Sequence, residues 1–227
     1  MRKDAPLISG IEGKSINGFY RKGISQDNNS FLECIDTIHC INKNNSNIKR
    51  YKPNLELFKK NIIKDINNSD FDIFSVGGGS FVQYFRSEEL IQTNNIIQKI
   101  KEDVINNFKE YLYSNEPKDE RLLISLFMKI SELKNNKTFE NNTINIIVFN
   151  ENNEKISIIE PIGKLKILDN KPYAFIYKSE GKYEPMIYYY NNSSYGYVLY
   201  ENDITPLKKG NDIHKIDILF KKIETFL

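Results

Sequence analysis

The sequence predicts an α+β protein whose helices pack on a mainly antiparallel β-sheet, and three observations point there. Up to about residue 133, apolar residues recur at three- and four-residue spacing, as on one face of a helix. From residue 144 onward the pattern changes to alternation and short β-branched or aromatic runs, as in strands. Short polar turns, such as Asn150-Glu151-Asn152-Asn153 and Asn191-Asn192-Ser193-Ser194, separate those runs like the corners of a meander. Helices first and strands afterwards is the order of an α+β fold.

The elements follow in order. Residues 1–23 read as an irregular N-terminal arm, because Ser9, Gly10, Gly13, Gly18 and Gly23 break up its short apolar pairs. A helix is expected from Ser30, with Phe31, Cys34, Ile35, Ile38 and Ile41 at helical spacing and Asn29 or Ser30 as cap. After a linker rich in Asn, Lys and Ser, Pro53 opens a second helix carrying Leu55, Phe58, Ile62 and Ile66. Gly77-Gly78-Gly79 reads as a flexible turn before a helix with Ile97, Ile100, Val104, Phe108 and Leu112 on one face. Another helix spans about 119–133, with Leu122, Leu126, Ile130 and Leu133. Strands are expected at 144–149, 155–159, 173–177, 185–190 and 195–200, and a closing C-terminal helix at about 212–226. No internal repeat interrupts the pattern, so 1–227 reads as a single domain, with 40% hydrophobic residues to fill one core.

Charge excludes some functions. Lys plus Arg exceed Asp plus Glu by only two, and the lysines are scattered, so nucleic acid is not indicated as a partner. No apolar run approaches the ~18 residues that span a bilayer, and the first residues lack a signal-peptide core, so neither a membrane nor export is expected. Cys34 and Cys40 lie six apart on one expected helix, where they do not meet, and read as reduced thiols of an intracellular protein.

The segment with chemical potential is Gly23-Ile24-Ser25-Gln26-Asp27-Asn28-Asn29-Ser30-Phe31-Leu32, a polar loop running straight into a helix. The free amides and positive dipole end of such a helix stabilise a thiolate or oxyanion placed beside them. Asp27-Asn28-Asn29-Ser30-Phe31-Leu32 resembles the nucleophile motif of ovarian-tumour (OTU) cysteine proteases, Asp-Gly-Asn-Cys followed by two apolar residues, with Ser30 at the cysteine position. Residues 120–133 followed by Asn145-Ile146-Ile147-Val148-Phe149 resemble that family's helix-then-strand pair. Tyr173-Ala174-Phe175-Ile176-Tyr177 and then Gly181-Lys182-Tyr183-Glu184-Pro185 resemble the stretch around its catalytic histidine, with Lys182 at the histidine position.

The resemblance implies an OTU/papain-like fold with a degenerate active site. Asp27, Asn29, Ser30, Lys182 and Tyr183 are then candidates for a surviving binding groove, and no catalytic residue, cofactor or metal is implied. The wording Tyr20-Arg21-Lys22-Gly23-Ile24, with Asn29-Ser30-Phe31-Leu32 and Tyr183-Glu184-Pro185, also resembles a domain in large proteins of nucleocytoplasmic large DNA viruses related to the early transcription factor large subunit. That second resemblance implies a viral protein of the host cytoplasm or virion, with a ubiquitin-like protein or viral transcription subunits as partner.

The alternative is an active deubiquitinase or peptidase with a Ser30-Lys182 variant dyad. It requires a lysine neutralised by burial, whereas Lys182 is expected in a polar loop. His39 and Cys40 are adjacent on a helix and do not face each other as a catalytic pair, and His214 lies far along the chain. Gly77-Gly78-Gly79-Ser80 lacks the Lys of a phosphate-binding loop, and no metal-ligand spacing occurs. The tyrosines at 188–190, 195, 197 and 200 read as ordinary sheet residues, since no arginines interleave with them as a base-stacking platform would require.

Overall fold

A computed structural model describes residues 18–43, 53–87, 96–153, 155–163, 168, 171–190 and 193–196. The fold is α+β, and the described residues fall into two compact units that interleave along the chain. The expected closing helix at 212–226 and most of the expected strand at 195–200 lie outside the described residues.

The first unit holds the sheet and one helix. Its elements are β1 (Gly18–Arg21), α1 (Ser30–Lys43), β2 (Asn145–Asn152), β3 (Lys155–Ile158), β4 (Tyr173–Ser179), β5 (Lys182–Tyr190) and β6 (Ser193–Tyr195). The strand order is β1-β5-β4-β2-β3, with β6 paired to the end of β5. The β1–β5, β4–β5, β5–β6 and β2–β3 pairings are antiparallel, but β2 and β4 run parallel, so the sheet is mixed with an antiparallel majority. A parallel pair cannot be joined by a tight turn. Here the chain leaves β3 and returns to β4 past Asn145, whose buried amide accepts from Leu168 N at 2.8 Å and donates to Leu168 O at 2.9 Å.

Two differences from the sequence reading matter for the site. Gly18–Arg21 forms β1, where an irregular arm was expected, because its backbone completes the free edge of β5 in the register Phe19 with Tyr188 and Arg21 with Met186. β5 also begins at Lys182, so Lys182 and Tyr183 are strand residues, where a polar loop was expected.

Side chains alternate across a strand, and the contacts assign the two faces of this sheet. The ring of Tyr183 meets Phe31 of α1 with centroids 5.6 Å apart, so the odd-numbered residues of β5 face α1. The even-numbered residues join the opposite face, where Phe19, Phe149, Tyr173, Phe175 and Tyr188 form a chain of ring contacts. α1 is buried on nearly every side: Phe31, Leu32, Cys34, Ile35, Ile38 and Ile41 are buried, and so are the polar Asp36, Thr37 and His39. Gly196, just past β6, lies directly on its backbone. A Cβ at that position would sit 2.8 Å from the carbonyl carbon of Ile38 and closer still to its oxygen.

The second unit contains α2 (Leu55–Ile66), a 3-10 segment at Ile73–Gly79, α3 (Ser80–Phe85), α4 (Ile96–Tyr113) and α5 (Glu120–Ser131). Asn54 caps α2 by accepting from Leu57 N at 3.0 Å, and Asp119 caps α5 by accepting from Arg121 N and Leu122 N. Phe58, Phe127 and Phe139 meet in its core, as do Phe81, Phe85 and Phe108. Ile97 departs from the expected apolar face of α4 and is 72% exposed, while Val104, Phe108 and Leu112 are buried. Gly77, Gly78 and Gly79 form an ordered left-handed turn, with φ of 58°, 65° and 94°. A Cβ at Gly163 would lie 2.9 Å from Gly77 C, so the turn is packed in place.

Candidate functional site

The loop before α1 is a compact turn organised by Asp27. Asn29 N donates to the Asp27 carboxylate at 2.7 Å, and Ser30 N donates to the Asp27 carbonyl at 3.1 Å. This is the Asx-turn behaviour that makes Asp a loop-to-helix residue. Ser30 is buried, and its hydroxyl donates to the same Asp27 carbonyl oxygen. A peptide carbonyl is not a base, so this hydrogen bond orients the hydroxyl without activating it. The Oδ1 of Asn29 is buried without a hydrogen-bond partner.

The same loop is tied to the start of β5. The side-chain amide of Gln26 donates to Tyr183 O at 3.0 Å and accepts from Tyr183 N at 3.2 Å, standing in for a strand residue at that edge. Lys22 N donates to Pro185 O at 3.0 Å one step further along. That contact uses only the Pro185 carbonyl, so the N–H that a proline lacks is not needed for it. The Tyr183 ring lies against Phe31 and has the Lys178 ammonium 5.0 Å from its centroid.

Of the five candidate residues, the structure brings Asp27, Asn29 and Ser30 together at the head of α1 and sets Tyr183 beside them. Lys182 is different. It is exposed, it pairs with Ser179 in the ladder, and strand alternation puts its side chain on the face away from α1. Glu184, two residues on and on that same face, pairs with Arg21 Nε at 3.4 Å, and the Arg21 guanidinium lies 4.4 Å from the Tyr177 ring centroid. Tyr177 in turn donates its hydroxyl to Glu151. Burial first, then this carboxylate acceptor, pushes the Tyr177 hydroxyl up to about 12.

Charge near the head of α1 is held close. Ser25 donates to Glu33 in the first turn of α1. Burial pulls the Lys22 ammonium below its ordinary range, and the Glu33 charge opposes that shift. Cys34 is a free thiol pushed well up by burial first and by Glu33 and Glu184 next, which makes it an inert core residue. Cys40 donates to Asp36 at 3.4 Å, one helical turn back, and His39 is buried. Among the described residues no group of three or more His, Cys, Asp or Glu side chains is arranged to hold a metal ion, and no helix is long and apolar enough to cross a membrane.

Sequence reasoning missed Gln26, Lys178 and Gly196. For Lys182 and Tyr183 a signal was present: the period-two pattern of a strand beginning at Lys182 puts the two on opposite faces. No protein-family model matches the chain, and no curated protein matches it as a relative.

Proposed function

We propose that this chain is an OTU-like domain with a degenerate active site, which binds a protein partner at the head of α1 without cleaving it. One observation carries the reading: the head of α1 is joined to the start of β5 through Gln26, Phe31 and Tyr183, while the Ser30 hydroxyl is turned inward onto the Asp27 carbonyl. Hydrolysis at Ser30 needs a base within hydrogen-bond reach of its hydroxyl. Lys182, the other half of the variant dyad, stands exposed on the far face of the sheet, which argues against that alternative. Exposed Gln26 and Asp27, with half-buried Tyr183 hydrogen-bonded to Gln26, offer a polar and aromatic surface of the kind that receives an extended polypeptide.

The test is a titration of isotope-labelled ubiquitin with the purified chain, followed residue by residue in NMR. Shifts concentrated in the C-terminal tail of ubiquitin, weakened at least fivefold by Tyr183→Ala, support the proposal. Unchanged spectra at high micromolar concentrations of both proteins count against ubiquitin-like recognition.

A further inference from the structure

We infer that Tyr183, and not Lys182, is the residue that β5 presents to the head of α1, so that an aromatic side chain fills the position from which this strand would act on residue 30. The inference deepens the proposal above and rests on its choice of site, while its test reads geometry and needs no partner. Three observations carry it. Tyr183 of β5 is in ring contact with α1, through Phe31, the residue after Ser30 in the chain. Its main-chain N–H and C=O are each held by the side-chain amide of Gln26, in the same loop as Asp27 and Ser30. Lys182 and Glu184 alternate to the other face, where Glu184 is held by Arg21.

The consequence is chemical. A phenol in contact with a phenylalanine ring and a lysine ammonium has no role in deprotonating the Ser30 hydroxyl. In this reading an aromatic side chain stands on the α1 side of β5, where the variant dyad would need a base, and Lys182 is a bystander.

The experiment compares thiol ionisation, read as thiolate absorbance against pH, in Ser30→Cys alone and combined with either Tyr183→His or Lys182→His. Differences from the parent protein remove the background of the two native cysteines. A neighbouring imidazolium lowers a thiol pKa by about 1–3 units. The inference expects such a drop with Tyr183→His and none with Lys182→His. A drop with Lys182→His, or no drop with either in folded proteins, overturns it. Should Tyr183→His not fold, Tyr183→Lys supplies the cation at the same position and is held to the same criterion against Ser30→Cys alone. Failure of the ubiquitin titration leaves these outcomes untouched, so the two ideas fail separately.

Discussion

Replacing Asp65 should be among the most damaging single substitutions in the second unit. Its carboxylate is buried at the end of α2 and accepts from Lys137 N at 2.7 and 2.8 Å, from Thr138 N at 2.7 Å and from Thr138 Oγ1 at 2.7 Å. In Asp65→Ala the Lys137 amide can turn to water, since Lys137 is exposed, but Thr138 is 1% exposed and cannot. Each buried polar group left without a partner costs about 1–3 kcal/mol. Two donors on Thr138, one of them a hydroxyl free to rotate, give an expected loss of about 2–4 kcal/mol, a large part of the ~5–15 kcal/mol that holds a domain folded. Urea unfolding followed by circular dichroism measures it as a lower midpoint with an unchanged slope. Thr138→Val removes one of the orphaned donors, so Asp65→Ala should cost about 1 kcal/mol less in that background. A loss below about 0.5 kcal/mol, the range of ordinary surface substitutions, would refute the hydrogen-bond argument.

Three further outcomes follow from the packing and the titrations. Gly196→Ala should lower stability by about 1–3 kcal/mol, because its Cβ meets the Ile38 backbone, whereas Gly23→Ala, with nothing within 4 Å, should stay within about 0.5 kcal/mol; thermal melts of the two compare them. Asn145→Ala should speed amide exchange at Leu168 and destabilise the chain by about 1–3 kcal/mol, since it deletes three hydrogen bonds from a fully buried side chain. The hydroxyls of Tyr111 and Tyr177 both titrate at about 12 in the folded chain against an ordinary 10.0, in each case through burial first. A raised acid binds protons more tightly when folded, so its contribution is whole below pH 10 and is lost as pH rises from about 10 to about 12. Stability measured through that window should fall less steeply in Tyr111→Phe/Tyr177→Phe, and an unchanged slope would show that neither hydroxyl contributes.

Four helices were legible because each carries an apolar stripe that acts locally, with start signals at Pro53, beside the Asn54 cap, and at Asp119, whereas the six-residue α3 is too short to show a stripe and was not expected. β2 and β4 were legible from their runs of β-branched and aromatic residues, but their parallel pairing was not, because pairing direction depends on where the intervening chain travels. β1 escaped notice since Gly18 gives it a breaker and its stability comes from the β5 edge that it completes. At the site, the turn at Asp27 and the helix starting at Ser30 follow from local chemistry. The face assignment of Lys182 and Tyr183 depends on where β5 begins, and Gly181 with φ of 74° and Glu180 with φ of 52° form the tight turn that starts it three residues earlier than the expected strand at 185–190. A polar residue at the first step of a strand reads as loop, which is how Lys182 was assigned to the wrong environment.

The most direct test of binding without cleavage uses ubiquitin carrying a fluorophore on its C-terminus, with intensity and polarisation followed together as the purified chain is added. Binding without cleavage predicts a rise in polarisation that holds over hours, with constant intensity, and the same constancy in Ser30→Ala. A fall in polarisation below its starting value with growing intensity, abolished in Ser30→Ala, would contradict it and make Ser30 a working nucleophile.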